Sequence, residues 1–234
     1  MLTPSSNTAL EPLAGAMLAG LPEVSAHFGR FKVTEISLDP GVLGQFDDVK
    51  VLEAASLLAD ARVDVIAWNG TSAGWLGLDA DERLCERITA QTGIPATTST
   101  LALREIMLRS GRTAYGLVTP YIDAVQEKIA ANFMRHGLKL VAERHLNISV
   151  NFDFSEVSET QLETMIREVA QAGPQCITTY CTNLRAMRLV DRLERDLGIP
   201  IYDSIATALW KSLGIAGVDA RRVKGWGRLF QEAT

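Results

Sequence analysis

Long hydrophobic runs are missing from this chain. No apolar stretch approaches the roughly 18–20 residues of a membrane span, and no basic-then-apolar segment opens it as a secretory signal would. Cysteine is scarce as well. Cys85, Cys176 and Cys181 are odd in number and poorly spaced for disulfides, so a reduced, cytoplasmic setting is the expectation. The only histidines, His27, His136 and His145, lie far apart and no CxxC occurs, so no metal site can be read. Positive charge is also short. Twenty-three Lys and Arg against 28 Asp and Glu leave a net charge of −5, with no basic excess for a phosphate backbone, which argues against a nucleic-acid partner. Neither a P-loop nor a GxGxxG motif is present, so a nucleotide cofactor lacks support.

What remains is an ordinary globular composition. The 234 residues, 47% hydrophobic and 22% charged, can bury the core of one large domain or of two small lobes. Short β-branched runs alternate with longer amphipathic ones. Strands are predicted at Val63–Trp68, Thr113–Val118, Leu138–Leu146, Cys176–Tyr180 and Ile199–Tyr202. Helices are predicted at Asp81–Thr92, Thr100–Arg109, Ile122–His136, Glu159–Ala172, Leu184–Leu197 and Ile205–Leu213. This alternation predicts an α/β protein with parallel sheets flanked by helices. The chain also repeats itself: a strand, a hydroxyl-bearing turn, a helix and a Gly-Ile-Pro unit occur twice, at Gly93-Ile94-Pro95 and Gly198-Ile199-Pro200. Two pseudo-symmetric lobes are therefore expected, residues 1–111 with 206–234 forming one and 112–205 the other. Ligands of parallel sheets bind beyond the carboxyl ends of the strands, so both turns should face one cleft.

Chemistry-bearing residues cluster at those strand ends. Cys181 ends an apolar strand where a helix is predicted to begin, and helix amides depress a thiol pKa. It is either a proton-transfer group or a small buried residue. Cys176 and Cys85 read as packing. Gly70-Thr71-Ser72 offers hydroxyls and backbone amides that could bind a carboxylate or cap a helix. Tyr121, in Thr119-Pro120-Tyr121, could add a donor or seal the rim. Asn7 and Asn151 lie beside turn signals. Arg104 and Arg144 read as solvated charges.

Gly70-Thr71-Ser72, Thr119-Pro120-Tyr121-Ile122-Asp123-Ala124-Val125, Cys181-Thr182-Asn183 and Gly225-Trp226-Gly227-Arg228-Leu229-Phe230 together resemble the arylmalonate decarboxylase branch of the aspartate/glutamate racemase superfamily, which also contains maleate cis-trans isomerases. The resemblance spans Pro4 to Phe230. It implies two lobes, a cleft between them and cofactor-free chemistry at carbon on a small dicarboxylate. Racemases and isomerases of that superfamily carry one cysteine per lobe; here the second lobe has Cys181 and the first has Gly70. A single thiol suits a lyase, because loss of CO2 generates the carbanion and only one proton donor is needed. The resemblance makes Cys181 the proton donor, with Thr71, Ser72 and Tyr121 holding the developing anion. Gly70, Thr182, Asn183, Asn7 and Asn151 are implied as substrate-binding positions. The last two match carboxylate-binding asparagines of the isomerases, which keeps isomerisation as the alternative. An apolar wall from Leu38–Leu43 and Val150–Phe154 is expected to face the departing carboxylate. The Met1-Leu2-Thr3 start is expected to leave the first sheet short of a strand.

Overall fold

The computed structural model describes residues 1–232 and contains two four-stranded parallel sheets. In the first lobe β1 (Leu2–Pro4), β2 (Gly29–Phe31), β3 (Ile66–Trp68) and β4 (Ala96–Thr98) lie in the order β2-β1-β3-β4. In the second, β5 (Ala114–Thr119), β6 (Lys139–His145), β7 (Cys176–Thr179) and β8 (Ile201–Asp203) repeat it as β6-β5-β7-β8. The first half of the chain also carries α1 (Leu10–Leu18), α2 (Pro40–Leu43), α3 (Asp48–Ala59), α4 (Ala73–Leu76), α5 (Leu78–Thr92) and α6 (Ser99–Arg109). The second half carries α7 (Asp123–Arg135), α8 (Glu159–Ala170), α9 (Met187–Leu197) and α10 (Ser204–Ile215). Among the described residues no helix is long and apolar enough to cross a membrane.

The internal repeat is real at the level of single hydrogen bonds. Gly93 and Gly198 end α5 and α9 in the left-handed region, at φ 73° and 71°, where a side chain would be strained. The following prolines accept the same strand-opening bond: Ile66 N–H donates to Pro95 O at 3.0 Å, and Ile177 N–H to Pro200 O at 2.9 Å. Each repeat then caps its next helix with a side chain, Thr98 accepting from Leu101 N–H and Asp203 from Ile205 N–H. α10 closes the molecule by packing on α6, α1, β3 and β4 as well as on β8.

Two expectations need correction. Leu2–Pro4 is not a missing edge. It forms β1 between β2 and β3, where three residues suffice because neighbours pair on both sides and Leu2 is fully buried. Nor does the helix after β7 start at Leu184. α9 begins at Met187, because Asn183 Oδ1 accepts from Thr8 N–H at 2.9 Å and Thr182 Oγ1 donates to Asn69 O at 3.0 Å. Such side-chain bonds compete with a helical turn.

Candidate active site

Four strand ends meet between the lobes: the turns after β1 and β3 on one side, and those after β5 and β7 on the other. Register places Ile66 opposite Ala96 and Ile177 opposite Ile201, so Gly70 and Cys181, each four residues beyond its isoleucine, are equivalent positions. The structure brings Thr71, Ser72, Tyr121 and Cys181 together, all at 5% exposure or less. Thr71 Oγ1 and the Tyr121 hydroxyl are 2.6 Å apart. The same phenol acts on the Cys181 thiol, favouring its charged form, and the Asn183 N–H donates to the sulfur at 3.4 Å.

The turn after β3 has an unusual hydrogen-bond pattern. Three consecutive carbonyls accept bonds from hydroxyls: Asn69 O from Thr182 at 3.0 Å, Gly70 O from Ser99 at 2.6 Å and Thr71 O from Tyr180 at 3.1 Å. In a trans peptide the N–H opposes the C=O, so the amides of Gly70, Thr71 and Ser72 are turned the other way. None of the three donates to a protein acceptor among the described residues, and the Thr182 amide likewise has none. Buried amides are almost always paired, so an unpaired group of them has donors to offer an anion. Ser72 Oγ accepts from Trp68 Nε1 at 3.3 Å, which leaves its own hydrogen available. Sequence reasoning missed Ser99, Tyr180 and Trp68 as site-builders, since hydroxyl and indole partners of this kind leave no motif.

Electrostatics corrects one expectation. With α9 starting at Met187, Cys181 is not at a helix N-terminus. Burial pushes its thiol up to about 12, only partly offset by the Tyr121 hydroxyl and the amides of Asn183 and Leu184. It is therefore a thiol at neutral pH. Burial, followed by the neighbouring Cys181, also keeps the Tyr121 phenol protonated, well above its ordinary value. Cys176 is core, its thiol donating to Arg112 O at 3.4 Å, and Cys85 lies half-buried in α5.

The asparagines are engaged elsewhere. Asn7 donates to Thr182 O at 2.9 Å and accepts from Ala9 and Leu10 N–H, bracing the two lobes and capping α1. Asn183 donates to Asn151 O at 2.6 Å, and Asn151 to Ser6 Oγ at 2.7 Å. The Asn7 and Asn151 bonds join the lobes. Asn7→Ala should strip partners from buried amides and a carbonyl, costing about 1–3 kcal/mol per orphaned group. A urea titration reads this as a shifted midpoint. An unshifted midpoint with a raised KM would make Asn7 a ligand instead.

A cover closes the cleft. Ile36 N–H donates to Ser149 O and Asn151 N–H to Thr34 O, joining the segment after β2 to the one after β6. Phe154 and Trp75 both stand edge-on to Tyr121, at ring-centroid distances of 5.5 and 5.4 Å. Leu38 and Leu43 pack half-buried on the core. The expected apolar wall is thus only partly present, because Val150 and Phe152 turn to solvent at 46% and 49% exposure. A cavity of about 30 Å³, large enough for a water, lies behind Ser72 and Trp68 against Asp81. A larger one, about 390 Å³, opens at the amino ends of β1 and β3, away from the thiol.

Fold and site together define a two-lobed α/β protein whose strand ends converge on one thiol and a nest of amide and hydroxyl donors. The arylmalonate decarboxylase family profile matches residues 9–230, and the chain belongs to that family. It is 27% identical to the arylmalonate decarboxylase of Bordetella bronchiseptica over 241 positions, covering 99% of this chain and 98% of the relative. It is 22% identical to the maleate isomerase of Alcaligenes faecalis over 231 positions, covering 94% and 91%. Among solved structures, the fold matches unliganded arylmalonate decarboxylase with a TM-score of 0.80 at 24% identity, covering 99% of this chain and 97% of the other. It matches Nocardia farcinica maleate cis-trans isomerase, carrying a covalent succinylcysteine intermediate, with a TM-score of 0.91 at 22% identity and the same coverage. These relatives are enzymes, of two reaction types.

Proposed function

We propose that the chain is a cofactor-free decarboxylase of substituted malonate-type acids. The observation that supports this most directly is the turn after β3, whose three carbonyls are tied back so that the amides of Gly70, Thr71 and Ser72 stay open opposite a single thiol. One carboxylate of the diacid sits among those amides, the Thr182 amide and the hydroxyls of Thr71, Ser72 and Tyr121. The other lies toward Leu38, Leu43 and Phe154, where lost hydration disfavours the anion.

The carbon–carbon bond to that second carboxylate breaks, CO2 departs and the electron pair remains as an enediolate. Its added negative charge grows toward the donor nest, which binds the transition state more tightly than the ground state. Cys181 Sγ then gives its proton to carbon from one face. The thiolate left behind accepts from Tyr121 and the Asn183 amide until water restores the proton. Position 70, a glycine, offers no acid or base on the opposite face.

The alternative is a maleate-type isomerase or a racemase-type isomerase, with Cys181 adding to a double bond or moving a proton. Incubation with phenylmalonate and with maleate separates them. The decarboxylase reading predicts CO2 and one enantiomer of the monoacid from the first, and no fumarate from the second. Fumarate without CO2 release, at enzyme concentrations that reveal a single turnover, would reverse the assignment.

A further inference from the structure

Position 70 is a glycine for a reason its backbone does not supply. Its φ lies outside the left-handed region, so any residue could adopt the conformation. The obstacle is a neighbour: a Cβ at position 70 would stand 1.9 Å from Cζ2, 2.3 Å from Cε2 and 2.6 Å from Cη2 of Trp68. That indole is not a flexible end that can swing away. It is 1% exposed, packs on Phe31 at 5.0 Å between ring centroids, and is tethered by its Nε1 bond to Ser72.

The second lobe provides the control within the same molecule. Two residues before Cys181, at the position equivalent to Trp68, stands Thr179, whose hydroxyl donates to Asp203 at 2.6 Å. A small residue there accompanies a side chain at 181, and a large one at 68 accompanies none at 70. We propose that Trp68 is the specificity-determining residue that keeps the cleft one-faced, filling the volume that an acid–base side chain on the first lobe would need. Chemistry restricted to one face therefore depends on a pair of positions, 68 and 70, and restoring a thiol at 70 alone cannot produce a two-faced site. The consequence for stereochemistry rests on the proposed decarboxylase function; the steric claim does not.

The test is a double-mutant cycle in the full chain: wild type, Gly70→Cys, Trp68→Val and the pair together, with Trp68→Leu in place of Val if the valine variant does not fold. Gly70→Cys alone should lower Tm by about 5–10 °C, the range for overpacking a rigid site. The same change in the Trp68→Val background should lower it by no more than about a third as much, and the new thiol should be alkylated under native conditions. Equal losses in the two backgrounds would overturn the steric claim. The stereochemical arm follows deuterium uptake from D2O at the α-carbon of the disfavoured enantiomer of the product. The double variant should exchange it at least about tenfold faster than either single variant. If the Tm coupling holds and exchange does not appear in a variant that still decarboxylates, Trp68 is a steric wedge without control over facial selectivity. If the coupling holds but no variant, wild type included, releases CO2, the proposed function fails and the wedge stands.

Discussion

Cys181→Ala should lower kcat for CO2-coupled product formation by about 10²–10⁴, the usual worth of a positioned general acid. Whatever product still forms should be racemic, since water can reach the enediolate from either face. The same substitution at Cys176 or Cys85 should leave both rate and enantiomeric excess unchanged, because those thiols serve the sheet and α5. The pH profile gives an independent check. Burial pushes the Cys181 thiol up to about 12, and a group with a raised pKa keeps its proton at every pH below that value. A reaction using the thiol as acid should therefore show a level kcat from about pH 7 to about pH 9. A reaction using the thiolate as nucleophile should instead accelerate by about tenfold per pH unit over that interval.

How far this site could be read from the sequence depended on which forces were local. Gly93-Ile94-Pro95 and Gly198-Ile199-Pro200 announce their helix ends and strand starts because left-handed glycine and proline act within a few residues. The second lobe, with its six-residue β5 and seven-residue β6, was accordingly legible almost throughout. The first was not. Its strands are three residues each, too short to show a period, and β1, β2 and β4 exist mainly because their neighbours pair with them. α1 escaped because it is largely apolar and shows little contrast between its faces. Within the site, Thr71, Tyr121 and Cys181 could be selected by residue type and strand-end position. The carbonyl ties from Ser99, Tyr180 and Thr182 could not, since they link positions 29, 109 and 113 residues apart. The asparagines at 7, 151 and 183 were singled out by resemblance alone, and the bonds their amides make to Thr182, Ser6 and Asn151 were not legible in the sequence.

Tyr121→Phe is the more selective probe of the donor nest. A phenyl ring keeps the edge-on contacts to Trp75 and Phe154, so the cover and the core should survive with Tm little changed. Only the hydroxyl is lost, along with its 2.6 Å contact to Thr71 and its influence on the Cys181 thiol. Removing one oxyanion donor typically costs about 2.7–4 kcal/mol, or about 10²–10³ in kcat. KM should move by less than about threefold, because a malonate carboxylate already carries its charge in the ground state whereas the enediolate gains a second charge only as CO2 leaves. The opposite split, a raised KM with kcat preserved, would mean that Tyr121 holds the substrate without stabilising the enediolate. The phenol must be neutral to donate, and its buried position keeps it protonated well above the ordinary tyrosine range. Deprotonation of Tyr121 should consequently leave no inflection in the wild-type rate profile at any pH where the fold persists.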